Sequence, residues 1–196
     1  TTLKTIMGFY PGTGSVKFQN DEILNKDTYK IAQSGIAYIP EDREIFSSLS
    51  VKENLALAAR GKDHSAAYKF VHSLFPELDT RAQQRAGSLS GGQQQRVAII
   101  RAMAVRPKLL LLDEITSALD PVLVNEVLET VRELKEEGVA IVMATHEMGF
   151  AKQVADQVCF LHKGRIFEVG DSSLLTAPKS EETRDFLNRV RQAGRL

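Results

Sequence analysis

The 196-residue sequence contains one cysteine, no tryptophan and no excess of charge of either sign. A single cysteine cannot form an intramolecular disulfide, which favours a protein of a reducing compartment such as the cytoplasm. Lys and Arg together number 25, as do Asp and Glu, so the formal net charge is zero. That balance argues against a protein whose main task is to bind nucleic acid.

Long apolar runs are missing as well. The longest runs, at residues 109–112 and 139–144, are far shorter than the ~20 apolar residues that cross a bilayer as a helix. Any membrane association is therefore expected to come through a partner. Cys159 lies within the apolar run VCFL and is expected to be a small buried side chain.

Short apolar segments alternate with helical patterns along most of the chain. The fully apolar segments LLLL and VAIVMA predict strands that are buried on both faces, which is typical of a parallel sheet flanked by helices. Ser50, with Glu53 three residues later, has the capping-box pattern of a helix start. Residues 51–87 contain no clear strand, so we predict a helical subdomain there, inserted between core segments 1–50 and 88–196.

In the second half of the chain, residues typical of helix and strand ends mark the limits of the predicted elements. Pro121 stands in the first turn of a predicted helix that ends just before Gly138. The segment VCFLHKGRIFEVG predicts a hairpin that turns at Lys163 and Gly164. A final amphipathic helix, SEETRDFLNRVRQAG, follows it.

Two adjacent carboxylates follow the buried segment LLLL. Asp113 and Glu114 would lie at the carboxyl edge of the sheet, where open α/β sheets bind ligands. Asp113 would then hold Mg²⁺, and Glu114 would polarise an attacking water. A strand end that simply meets solvent explains the pair about equally well from these residues alone.

The stretch SLSGGQQQR opens a long predicted helix. Ser90, Gly91 and Gly92 would present backbone N–H groups at the positive end of the helix dipole, an arrangement suited to a phosphate. A Ser-capped helix after a Gly-rich turn is the simpler interpretation of SGG by itself.

Taken together, these motifs resemble the ATP-binding subunits of ABC transporters. Residues 89–93, which include Gln93, match the signature motif of that family, and Leu109–Asp113 with Glu114 match its Walker B strand and catalytic carboxylate. Residues 117–120 match the D-loop, and His146 matches the switch histidine. The resemblance implies a P-loop NTPase-like α/β fold that binds ATP and Mg²⁺.

The same resemblance implies roles for further residues. A Gly-rich phosphate loop is expected before Thr1, so the first strands of the fold are expected to be missing from this sequence. Thr1 would be a ligand of Mg²⁺, and Thr2 would donate to a phosphate. Glu41 occupies the place of the Q-loop glutamine and would approach Mg²⁺ together with Asp113.

Family resemblance also implies partners. Two such subunits, in a homodimer or a heterodimer, would enclose ATP between the phosphate loop of one and the signature helix of the other. The site contacts would come from Ser90, Gly91, Gly92 and Gln93, with Asp120 coupling the two sites. The protein would power amino-acid import from the cytoplasmic face of the inner membrane, bound to membrane permease subunits, with no role for nucleic acid.

Three alternatives stay open at this stage. The first half resembles the ATPases of branched-chain amino-acid importers and the second half those of polar amino-acid importers, as a natural mosaic or an engineered chimera would. A truncated scaffold with little or no turnover is a second possibility, and we expect the 196 residues alone to be poorly active. A DNA-repair ATPase is disfavoured because no long coiled coil separates Glu41 from Ser90.

Overall fold

The computed structural model describes residues 2–59, 80–117 and 119–192. The chain divides into two compact units, Thr1–Ala144 and Thr145–Leu196, and each is described by itself. Within the described residues, no helix is both long enough and apolar enough to cross a membrane.

The first unit contains six short to medium-length segments before residue 60 and four longer ones after residue 90. In chain order these are α1 (Thr2–Ile6), β1 (Lys17–Phe18), β2 (Asp21–Glu22), α2 (Thr28–Gln33), β3 (Ile36–Ile39), α3 (Val51–Ala58), α4 (Gly91–Met103), β4 (Leu109–Asp113), α5 (Pro121–Glu136) and β5 (Ala140–Ala144). Strands β1 and β2 form a small antiparallel hairpin.

The main sheet of this unit is parallel, as the sequence predicts. Its strand order is β3-β4-β5, so β4 lies in the middle and is paired on both sides. Leu110, Leu111 and Leu112 of β4 are all at most 1% exposed. Because successive strand residues point to opposite faces, this burial means that both faces of β4 are covered.

The prediction of two-sided burial is wrong for β5. Ala140 and Val142 of this strand are exposed, and Val142 retains 46% of its accessible surface. Ala140 and Val142 are exposed because of the place of β5 in the sheet. In the described part of the chain β5 pairs with β4 alone, so it is an edge strand. An edge strand and a central strand can both appear in the sequence as a run of apolar residues, so the run alone does not tell them apart.

Helices cover the sheet through closely packed apolar side chains. Leu3 and Met7, at the start of the chain, pack in one cluster with Ile31 of α2 and with Ile36 and Leu111 of the sheet. On α4, the fully or almost fully buried side chains are Val97, Ala98, Ile99, Ile100 and Met103. The α/β architecture with helices flanking a parallel sheet is thus confirmed.

Helix α3 begins as the sequence predicts. The Ser50 hydroxyl oxygen accepts from the Glu53 N–H at 3.2 Å, and a Glu53 carboxylate oxygen accepts from the Ser50 N–H at 2.7 Å. This reciprocal pair is a complete capping box. Residues 60–79 of the predicted helical subdomain 51–87 lie outside the described residues, so that subdomain stays a prediction.

The second unit is built on an antiparallel hairpin with helices beside it. Its segments are α6 (Met148–Val154), β6 (Val158–His162), β7 (Arg165–Gly170) and α7 (Glu181–Gln192). Lys163 and Gly164 both have positive φ, 47° and 74°, which confirms the predicted two-residue turn. Met148, Leu175 and Leu187 form the buried cluster of this unit.

The prediction that Cys159 is buried is wrong. Cys159 is exposed, while its neighbour Phe160 is only 9% exposed. Since strand side chains alternate between faces, burial of Phe160 places Cys159 on the opposite face. The register shift between Phe160 and Leu161 adds an irregularity that the residue pattern does not reveal.

Glu168 of β7 ties the hairpin to the start of α7. One of its carboxylate oxygens accepts from the Lys179 N–H at 2.7 Å, and the other accepts from the Ser180 N–H at 3.1 Å. These hydrogen bonds, the first of them foremost, stabilise the charged form and lower the pKa of Glu168 from 4.5 to about 2.

We expect the second unit to lose stability as the pH falls from 4.5 towards 2. The pKa of Glu168 is lower in the folded chain, so its contribution is complete above 4.5 and is lost as the folded-state carboxylate takes up a proton. Glu168→Gln removes the charge and is expected to flatten this part of the stability profile. Urea unfolding followed by circular dichroism at a series of pH values measures the effect; parallel profiles for both proteins would contradict it.

Candidate functional site

The two adjacent carboxylates lie where the sequence places them, at the carboxyl end of the central strand β4. Asp113 is the last residue of that strand and is in register with Ala144 of β5. Glu114 follows, and its N–H donates to the Ala144 carbonyl oxygen at 3.0 Å. Backbone pairing on the β5 side therefore fixes the position of both residues.

Tyr38 of β3 contacts this pair from the other side. Its hydroxyl donates to Asp113 Oδ2 at 2.8 Å, although the two residues are 75 positions apart. The parallel register that pairs Tyr38 with Leu111 brings them together. Burial first, and then the hydrogen bond to Asp113, raise the pKa of Tyr38 above its usual value of 10. Nothing in the sequence singles out Tyr38, because a single tyrosine in an apolar strand does not indicate a role in a site.

Glu114 has an unusual backbone conformation. Its φ is 48°, in the left-handed region that residues with a side chain rarely adopt. Such a conformation costs about 1–2 kcal/mol and is found preferentially where function requires it. Glu114 is one of eight described non-glycine residues with positive φ, and it is the one for which the sequence predicts the catalytic role.

The predicted phosphate-binding residues come together at the start of α4. The Ser90 hydroxyl oxygen accepts from the Gln93 N–H at 3.4 Å, and Gln93 Oε1 accepts from the Ser90 N–H at 3.1 Å. This is a second capping box, so both polar side chains already have a structural function. Ser90 is exposed and its hydroxyl serves the cap as an acceptor, which leaves the hydroxyl hydrogen to donate to an anion.

The two glycines allow close packing against the segment before and within α5. A Cβ on Gly91 would lie 3.2 Å from the Leu119 side chain, and a Cβ on Gly92 would lie 3.1 Å from Leu123. Asp120, between those leucines, caps α5 by accepting from the Val122 and Leu123 N–H groups at 3.1 and 3.2 Å. The signature segment and the D-loop segment are therefore neighbours.

The remaining predicted site residues are spread more widely. Glu41 is exposed just beyond β3, and Thr2 is exposed in α1. His146 belongs to the second unit, where its carbonyl oxygen accepts from the Met148 N–H. Thr1 lies outside the described residues.

Mg²⁺ fits the donor chemistry of this sheet edge. In the described residues no three His, Cys, Asp or Glu side chains cluster as a metal site. Magnesium ions, however, are commonly held by one or two carboxylates together with substrate phosphates. Asp113 suits that arrangement, because Oδ2 is fixed by Tyr38 and Oδ1 has no hydrogen bond within the described residues.

A groove of about 400 Å³ lies beside the end of β3. Tyr38, Pro40, Phe46, Leu57 and Arg101 are among its lining residues. The Arg101 guanidinium lies over the Phe46 ring, 5.3 Å from its centroid, and burial lowers its pKa. Among the described residues no carboxylate lies within ion-pair distance of Arg101, although the charge of Glu44 partly offsets the lowering of its pKa.

Comparison with known families and proteins gives consistent matches. A family model described as ABC transporter matches residues 1–117. The chain is 42% identical over 164 residues to the glutamate transport ATP-binding protein GluA of Corynebacterium glutamicum, an alignment that covers 81% of this chain and 68% of GluA. It is 37% identical to the high-affinity branched-chain amino acid transport ATP-binding protein BraG of Pseudomonas aeruginosa, over 91% of this chain and 79% of BraG.

Solved structures agree on the fold. The ADP conformation of MJ1267, an ATP-binding cassette of an ABC transporter, superposes with a TM-score of 0.79 at 24% identity, covering 94% of this chain and 82% of that one. A dimeric post-hydrolysis structure of the cassette MJ0796, bound to ADP and Pi, gives a TM-score of 0.71 at 23% identity over 87% of this chain and 79% of that one. Because GluA and BraG each align with most of the chain, the matches give no support to a chimeric origin.

Proposed function

The chain belongs to the ABC transporter family of ATP-binding proteins, and from this we propose that it is the ATP-binding and ATP-hydrolysing subunit of an amino-acid importer. The observation that carries the proposal is the pair Asp113 and Glu114 at the end of the central parallel strand, with Glu114 in a strained turn. GluA and BraG, both named as amino-acid transport ATP-binding proteins, support an amino acid as the transported solute.

The site residues divide into three roles. Asp113, with Thr1 and Glu41, would hold Mg²⁺, which when bound neutralises charge on the phosphates. Glu114 would orient the attacking water. Positioning and charge stabilisation supply most of the catalysis in phosphoryl transfer, so small displacements of these carboxylates matter.

The other site residues would contact the nucleotide. Ser90 would donate its hydroxyl hydrogen to the γ-phosphate, and the N–H groups of Gly91 and Gly92 would add to it at the positive end of α4. Gln93 would fix Ser90 through the capping box. Thr2 would donate to a phosphate, and His146 would contact the γ-phosphate.

A second ATP-binding subunit is part of this proposal. Cassettes of this family act as dimers, and the MJ0796 structure is itself described as dimeric. In a head-to-tail dimer the signature segment of one subunit would close the nucleotide site of the other. Asp120 supports a coupling role, because the α5 cap that it forms lies beside Gly91 and Gly92.

The groove beside β3 supports contact with a permease subunit at the cytoplasmic face of the inner membrane. Its apolar lining suits an apolar helix, and the Arg101 guanidinium suits a carboxylate on that helix. Charge complementarity of this kind directs partner choice. The lining of this groove includes Pro40, which directly precedes Glu41, and Leu57 and Ala58 of α3.

We expect the chain, once a Gly-rich phosphate loop ending Gly-Lys is restored before Thr1, to bind MgATP, and its Asp113→Asn variant to bind it at least tenfold more weakly. Removing one carboxylate charge from the metal-binding edge weakens the metal-dependent part of the affinity. Equilibrium binding of a fluorescent ATP analogue in Mg²⁺ and in EDTA measures this. Asp21→Asn, on the small hairpin, is the matched control. No MgATP binding by the chain with the restored loop, or equal binding by both Asp variants, would overturn the proposed function.

A further inference from the structure

The position of Asp113 depends on a contact that its own strand does not supply. Backbone pairing fixes the Cα of Asp113, but the carboxylate at a strand end can still rotate about its side-chain bonds. The Tyr38 hydroxyl, 2.8 Å from Oδ2, selects one orientation. In that orientation Oδ1 is left without a hydrogen bond among the described residues.

Tyr38 is itself held on two sides. Its backbone belongs to β3 and is in register with Leu111 of β4, on the same strand as Asp113. Its ring packs against Phe9, with the two ring centroids 5.7 Å apart and the planes tilted by 54°. The hydroxyl is therefore located by strand pairing and ring packing, and it reaches Asp113 as a fixed donor.

The chemical type of this donor determines whether Asp113 keeps its negative charge. A lysine or arginine at this position would neutralise Asp113 and compete with a bound cation. A tyrosine hydroxyl orients the carboxylate through one neutral hydrogen bond and leaves its negative charge in place. In the described part of the chain, none of the ion pairs involves Asp113.

We propose that Tyr38 is a positioning residue for the divalent-cation site: its hydroxyl fixes Asp113 Oδ2 so that Oδ1 is presented to the metal. This inference rests on the proposed function, in which Asp113 holds Mg²⁺. Partners that orient a metal ligand in this way commonly account for 10- to 100-fold in metal affinity.

The test measures metal affinity directly, with Mn²⁺ alone as the probe. Binding of Mn²⁺ to the chain at pH 7 is followed by electron paramagnetic resonance, with Asp113→Asn as the baseline for other carboxylates. Tyr38→Phe keeps the ring and its packing on Phe9 and removes only the hydroxyl. Tyr10→Phe, which removes a hydroxyl from a 52% exposed side chain, is the matched control.

We expect Tyr38→Phe to weaken the Asp113-dependent Mn²⁺ binding by at least tenfold, and Tyr10→Phe to leave it unchanged. Affinity for the ATP analogue in EDTA should stay within twofold in both variants, which a general loss of structure would not allow. Equal Mn²⁺ affinity of the wild type and Tyr38→Phe, or no Asp113-dependent Mn²⁺ binding at all, would overturn the inference. Tyr38-dependent Mn²⁺ binding by a chain that binds no MgATP even with its phosphate loop restored would instead overturn the proposed function alone.

Discussion

Glu114→Gln is expected to lower the ATP turnover of the protein by at least a hundredfold, with ATP affinity within twofold of the wild type. The amide keeps the size of the side chain but loses the charge that orients and polarises water, an effect worth two to four orders of magnitude in related chemistry. Turnover is measured as phosphate release at saturating MgATP in the chain with a Gly-rich phosphate loop restored before Thr1, relative to the same protein with Glu114 in place.

The control for this prediction uses another glutamate of the same unit. Glu136→Gln, at the exposed end of α5, makes the same chemical change away from the site and should leave turnover unchanged. The unfolding stability of Glu136→Gln should change by less than about 0.5 kcal/mol, since this exposed side chain lies away from strained or buried features. Normal hydrolysis by Glu114→Gln would remove Glu114 from the catalytic role.

Gln95→Met is expected to raise the free energy of unfolding by about 1–3 kcal/mol. Gln95 lies in α4 with a fully buried side chain, and neither its amide nitrogen nor its amide oxygen has a hydrogen-bond partner among the residues that the structure describes. A buried polar group without a partner costs about that amount, whereas methionine fills a similar volume without polar atoms. Equilibrium urea unfolding gives the difference, and the melting temperature should rise with it.

The neighbouring residue provides a control of opposite sign. Gln94 Nε2 donates to the Leu89 carbonyl oxygen at 3.1 Å, and Gln94 Oε1 accepts from Arg43 at 2.9 Å. Gln94→Met, the same substitution one position earlier in the helix, removes these bonds and should lower the free energy of unfolding. A destabilised Gln95→Met would show that the buried amide is hydrogen-bonded in solution, for example to a bound water.

Features that depend on a few consecutive residues could be predicted from the sequence. The capping pair Ser50 and Glu53, the turn at Lys163 and Gly164, and Pro121 in the first turn of α5 all lie where their patterns indicate. Each is decided by hydrogen bonds or backbone angles within about four residues. The parallel sheet could also be predicted from the sequence, because apolar segments that form strands alternate with helical segments.

Features set by distant parts of the chain could not be predicted. The contact between Tyr38 and Asp113 depends on the register of two strands, and nothing within either strand specifies that register. The exposure of Val142 depends on which strand forms the edge of the sheet, and that of Cys159 on which neighbour faces inward. For the candidate site, the sequence motifs indicated which residues would form it. The roles of those residues stay predictions.

The central position of β4 affects how readily the backbone opens locally. Amide hydrogens exchange with solvent where the backbone opens, and the strands paired on both sides are the last to open. The amides of Leu110, Leu111 and Leu112 should therefore exchange only through near-complete opening of the first unit, and far more slowly than those of β1 and β2. Asp113 is attached to the slowest-exchanging segment of that unit, so local fluctuations elsewhere leave its place in the sheet unchanged.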